Sequence, residues 1–165
     1  MSHQPVIDGL EFARTGAKLQ RAWPVAGFPR LRDALRTDEG TLQCDLRGVP
    51  EKLGRPALRL RVDGALQLVC QRCLGALEYP LHIEVLLQLA ATQAEIDAGP
   101  LEAEGPDWIV ASREMPVREL IEDELLLAIP LAPRHERCAG GGAQAAGAER
   151  SPFAALRGLV GGTRH

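Results

Sequence analysis

Two long runs of alternating character constrain this chain more than any other feature. Leu58, Leu60, Val62, Leu66, Leu68 and Cys70 share one parity, and Arg59, Arg61, Asp63 and Gln67 take the other. Leu77, Tyr79, Leu81, Ile83, Val85, Leu87 and Leu89 alternate in the same way with Glu78, Pro80, His82, Glu84 and Gln88. A period of two sustained over such lengths predicts strands with one apolar and one polar face. Only Cys70 to Ala76 lies between the runs, so they should form an antiparallel hairpin whose tip carries Cys70-Gln71-Arg72-Cys73-Leu74. Asp63-Gly64 resembles a type I′ turn, but a two-residue loop there would set Leu60 opposite Gln67 on one face. One strand with a bend or bulge at Gly64 keeps every apolar residue on one side. Pro80 places its strand at an edge, or at a gap in the pairing.

The other segments read as elements that cover or extend this hairpin. Leu42, Cys44 and Leu46 alternate with Gln43, Asp45 and Arg47, a strand broken at Gly48-Val49-Pro50 and Gly54, with Cys44 facing the core. In the arm from Val6 to Leu35, Asp8 caps a short helix holding Leu10 and Ala13 and ending near Gly16. Pro29 opens a second, with Leu31, Ala34 and Leu35 on one face. Residues 91–106 are acidic and rich in Gly, Pro and Ala, a loop with local helix near Ala94 to Asp97, and Trp108-Ile109-Val110 reads as a short strand. Pro116 opens the clearest helix, whose Val117, Leu120, Ile121, Leu125 and Ala128 recur at spacings of three and four until Pro130 stops it.

These elements predict an α+β fold: an antiparallel sheet with a long hairpin, an amphipathic helix in the C-terminal half and short covering helices. The expected organisation is a single domain over residues 1–138 with an N-terminal helical arm. A Gly/Ala-rich linker follows at 139–150, then a short C-terminal helix or tail at 151–165, where Phe153, Leu156 and Val160 share a face. A chain of 165 residues has enough length for a core without disulfides. No apolar run reaches the roughly 18 residues of a spanning helix, and the first 30 residues lack a secretory pattern. A cytoplasmic protein with no membrane partner is expected, and four cysteines including one C-x-x-C suit a reducing compartment. Residues 1–75 carry 12 Lys+Arg against 8 Asp+Glu, net +4, and residues 76–165 carry 7 against 14, net −7. That balance lacks the strong positive charge of a dedicated nucleic-acid binder.

Cys70, Cys73, His135 and Cys138 are the one constellation with ligand character. C-x-x-C and H-x-x-C each let two neighbouring ligands reach one tetrahedral zinc ion, and unligated thiols are the competing reading. A thioredoxin-like role fits less well, because a strand rather than a helix follows the motif. Glu119, Glu122, Asp123 and Glu124 spread around a helix as a solvated face. Arg55, Arg59, Arg61 and Arg72 are candidates for contact with an RNA backbone, with a solvated sheet face as the plain alternative. Nucleophile elbow, dinucleotide fingerprint, H-E-x-x-H and Walker motifs are all missing, so neither an enzyme nor a small-molecule substrate is expected.

Cys70-Gln71-Arg72-Cys73-Leu74 after a long strand, then Leu120-Ile121-Glu122-Asp123-Glu124-Leu125-Leu126-Leu127-Ala128-Ile129-Pro130-Leu131-Ala132-Pro133, then Cys138 and Pro152-Phe153-Ala154-Ala155-Leu156, resemble one family. It is the bacterial YceD family, the large ribosomal RNA subunit accumulation proteins, matched from Leu58 onward. The resemblance implies a non-enzymatic ribosome-biogenesis role in synthesis, processing or stability of large-subunit ribosomal RNA. The implied partner is that RNA or its precursor, or a large-subunit ribosomal protein. A protein adaptor for a basic ribosomal protein, with no RNA contact, is the alternative. Some relatives carry a second C-x-x-C near Cys138; here His135 would stand in as the fourth ligand.

Overall fold

The computed structural model describes residues 4–52, 54–99 and 105–138. The linker expected at 139–150 and the helix or tail expected at 151–165 lie outside the described residues. The alternation of the two long runs appears as β5 (Arg55–Val69) and β6 (Ala76–Ala90), an antiparallel hairpin in register from Ala57↔Gln88 to Val69↔Ala76. Gly64 lies within β5, with no turn at Asp63-Gly64. A Cβ on Gly64 would stand 2.6 Å from Leu42 Cδ2, so close approach of the neighbouring strand accounts for the glycine. Pro80 faces Ala65 of β5, and among the described residues the other side of β6 is paired only from Leu87 to Ala90, so the proline sits where β6 is an edge.

Around this hairpin the sheet grows in both directions. β4 (Thr41–Lys52) pairs antiparallel with β5, and β2 (Lys18–Pro24) pairs antiparallel with β4. β3 (Leu35–Thr37) takes the end of β5 near Leu68. On the far side β7 (Asp107–Val110) lies parallel to β6, which makes the sheet mixed at one edge. β1 (Val6–Ile7) and β8 (Met115–Pro116) form a separate two-stranded ribbon.

One local reading of the sequence is corrected, and one strand lies where the sequence reading assigned none. β4 does not break at Gly48-Val49-Pro50 but runs on to Lys52. Gly48 is required by contact instead: a Cβ there would meet Phe12 O at 2.1 Å, and its N–H donates to Ala17 O at 2.8 Å. β2 carried no clean strand signal, because Arg21 occupies an inward position opposite Cys44 while remaining exposed, its guanidinium 4.7 Å over the Trp23 ring.

One face of the sheet is covered. Leu42, Leu46, Leu58, Leu60, Leu66, Leu68 and Leu87 are buried on it. Against them pack α1 (Gly9–Arg14), the 3₁₀ helix Pro29–Ala34 with Leu31, and α3 (Val117–Ala128) with Val117, Leu120, Ile121 and Leu125. Asp8 caps α1, accepting from Glu11 N at 3.0 Å, and Gly16 takes φ +64° just past its end. The opposite face carries the odd-numbered polar residues of β4 and β5. It is closed only toward β7, where Arg55 stacks 4.5 Å over Trp108 and Gln88 is buried; α2 (Gln93–Asp97) follows β6 there.

Candidate metal centre and charged sheet face

The tip of the β5–β6 hairpin is a tight loop closed by its own backbone. Cys70 N–H donates to Gly75 O at 3.0 Å and Leu74 N–H to Cys70 O at 2.8 Å. Leu74 holds φ +60°, a left-handed conformation that a branched side chain seldom adopts, and it is 69% exposed. The loop is tied to the segment beyond α3 by Gln71 N–H, which donates to Pro133 O at 2.8 Å. Tyr79 Oη donates to Ala128 O at 3.3 Å, so the start of β6 is also fastened to the end of that helix. Cys70 is fully buried and Cys73 half-buried.

His135 and Cys138 follow, both half-buried, with Nδ1 and Sγ 3.8 Å apart. Tetrahedral zinc with its usual bond lengths sets two thiolate sulfurs about 3.8 Å apart and a sulfur and a ring nitrogen about 3.6 Å apart. The His135–Cys138 spacing nearly meets that geometry. Cysteine sulfur and histidine imidazole are the donor types that structural zinc takes.

The arginines divide by their surroundings. Arg55 pairs with Glu95 at 3.4 Å beneath its stack on Trp108, and Arg61 Nη2 donates to Glu84 Oε2 at 2.8 Å. That pairing holds the Glu84 carboxyl below its usual range, with Arg59 adding to the effect. Arg59 is exposed on the same face, and Arg72 is exposed at the hairpin tip. Arg47, which the sequence reading passed over, stands directly opposite Arg59. It grips Asp45 through Nε and Nη2 at 2.7 Å each. With Gln20 Nε2 also donating at 2.5 Å, the Asp45 carboxyl is held down to about 2, the Arg47 hydrogen bonds being the main cause.

The family model described as large ribosomal RNA subunit accumulation protein YceD matches residues 58–160. This chain belongs to the YceD family. No curated protein and no solved structure matches it.

Within this YceD protein, the helix residues that carried the resemblance have an internal use that the sequence reading missed. Glu122 is buried at 1% exposure rather than part of a solvated face, and its Oε1 accepts the backbone N–H of Arg30 at 2.6 Å. Asp123 pairs with the Arg30 guanidinium, and Glu124 is half-buried. The Glu124 carboxyl is pushed up by burial first, then by Asp107 and Asp123. A short motif thus fastens the 3₁₀ helix Pro29–Ala34, which precedes the YceD match, onto α3, which lies inside it. The available signal was parity: Glu122 is one residue from Ile121 and three from Leu125, on the edge of the apolar stripe.

Proposed function

We propose that this chain is a non-enzymatic ribosome-biogenesis factor of the cytoplasm that supports synthesis, processing or stability of large-subunit ribosomal RNA by binding. In this reading Cys70, Cys73, His135 and Cys138 hold one zinc ion, whose work is to fix the hairpin tip rather than to activate a substrate. Membership of the YceD family carries the reading. The C-x-x-C and H-x-x-C spacing supports the zinc, and four protein ligands would leave no position for a reacting water.

The RNA, or its precursor, is the expected partner. The adaptor reading, in which the acidic helix holds a basic ribosomal protein, has less behind it, since Glu122 and Asp123 are already engaged by Arg30. No helix among the described residues is long and apolar enough to cross a membrane. Affinity capture of the tagged full chain from cells, with and without ribonuclease, tests the proposal. Enrichment of large-subunit ribosomal RNA that ribonuclease abolishes is the expected result. Capture of a ribosomal protein that survives ribonuclease would move the assignment to the adaptor, and recovery of neither would overturn it.

A further inference from the structure

On the open face of the sheet, side chains of β4, β5 and β6 stand in cross-strand rows. Gln43, Asp63 and His82 form one, with His82 Nδ1 and Asp63 Oδ1 at 2.5 Å. Asp45, Arg61 and Glu84 form the next, with the cation between two carboxylates. In the third row the rule fails: Arg47 faces Arg59, and Leu86 follows on β6. Like charges placed directly opposite each other on a sheet oppose folding. Among the described residues Arg59 makes no ion pair, and Arg47, gripping Asp45 with Nε and Nη2, keeps Nη1 for another acceptor.

These side chains surround space. Asp45, Arg47, Arg59 and Arg61 line a depression of about 60 Å³. Asp45 and Arg61 also border an adjoining cleft of about 430 Å³, with Gln20, Ala22, Gln43 and Asp63 on its walls. Three guanidiniums against the carboxylates of Asp45 and Glu84 leave one surplus positive charge beside the smaller depression. The larger cleft has the room of a nucleoside and offers side-chain amides, which both donate and accept as base edges require.

We infer that the open sheet face is a single-stranded RNA site, in which one backbone phosphate sits between Arg47 and Arg59 and its nucleoside occupies the neighbouring cleft along β2, β4 and β5. The inference rests on the ribosomal RNA reading above and gives it a surface. A phosphate there removes the unfavourable arginine pair, neutralises the surplus charge and presents oxygens to Arg59 and to Arg47 Nη1. Asp45 is a positioning residue: its carboxylate, ionised throughout the neutral range, holds the Arg47 guanidinium at the edge of the depression. The same carboxylate and Glu84 keep the face from collecting anions at random. Arg55 takes no part, being committed to Trp108 and Glu95.

The test uses the full chain and a labelled single-stranded oligoribonucleotide of about 12 nucleotides, within the usual footprint of single-strand binders. Affinity is measured from about 50 to 200 mM salt for wild type, Arg59→Gln, Arg47→Gln/Arg59→Gln and, as a control outside the cluster, Arg113→Gln. Removing the one phosphate contact in the double variant should flatten the slope of log affinity against log salt by about 0.7, and Arg59→Gln, which leaves Arg47 on that phosphate, should flatten it by less. The control should keep the wild-type slope. Because Arg59→Gln relieves a like-charge pair, its Tm should not fall, which separates a binding defect from a folding defect. An unchanged slope in the double variant, or no oligoribonucleotide binding by wild type, would overturn the inference. Either outcome combined with ribonuclease-sensitive capture of ribosomal RNA would leave the parent reading standing, whereas failed capture removes that reading itself.

Discussion

Replacing Glu122 tests whether the helix motif is structural. Its carboxylate is buried and accepts a 2.6 Å hydrogen bond from the Arg30 backbone amide at the start of the 3₁₀ helix. A hydrogen bond to a charged group contributes about 1.5 to 3 kcal/mol, and desolvating the carboxylate offsets part of the gain from its buried stem, so Glu122→Ala should destabilise by about 2 kcal/mol. Glu122→Gln keeps an acceptor oxygen without the charge and should cost about 1 kcal/mol. At about 3 °C per kcal/mol for a domain of this size, the Tm shifts should be near 6 and 3 °C. Urea unfolding measures both, and amide exchange should show Arg30 losing protection selectively in the alanine variant. If Glu122→Ala unfolds within about 0.5 kcal/mol of wild type, the motif does not fasten the arm to the helix, and the acidic residues must serve something outside the chain.

Four further outcomes are expected. Purified protein under reducing conditions should carry one zinc per chain, and Cys73→Ser should lower both the metal content and the Tm; metal-free wild type with an unchanged Tm would remove the zinc. Gly48→Ala should cost about 1 to 3 kcal/mol in chemical denaturation, because its Cβ would overlap the Phe12 carbonyl and the obstruction is backbone. The Asp45 carboxyl should titrate at about 2 by NMR. Since its folded value lies below the unfolded one, its contribution to stability is present above about pH 4 and disappears as pH falls toward 2; a midpoint near the ordinary aspartate value of 3.8 would break the Arg47 clamp. Glu124, raised by burial, has the opposite sign: it favours the fold at low pH and loses that contribution as pH rises through its folded value. Glu124→Gln should therefore raise Tm at neutral pH, with the gain shrinking toward pH 4, and an equal gain at both values would contradict the assignment.

What could be read from the sequence follows from which interactions are local. The β5–β6 hairpin was legible because the apolar alternation persists through Gly64 and leaves one register that sets Leu60, Val62, Ile83 and Val85 on one face. Cys70, Cys73, His135 and Cys138 stood out as candidates because no other cysteines or histidines recur at that spacing. Gly48 was misread as a break, since nothing within β4 reveals that α1 lies against it. Glu122 was misread because its acceptor role depends on Arg30, 92 residues away. Arg47 became significant only when the β4–β5 register set it opposite Arg59. Parity had already turned Asp45 and Arg47 away from the core, but a strand's outward face acquires meaning only from its neighbours.

The central claim is that this YceD protein sustains large-subunit ribosomal RNA. The direct measurement is the ratio of mature large-subunit to small-subunit ribosomal RNA in cells lacking the chain, in cells given it back, and in cells given the Cys73→Ser form. The ratio should fall without the protein, recover with wild type and recover incompletely with the cysteine variant. An unchanged ratio on loss of the chain would contradict the account.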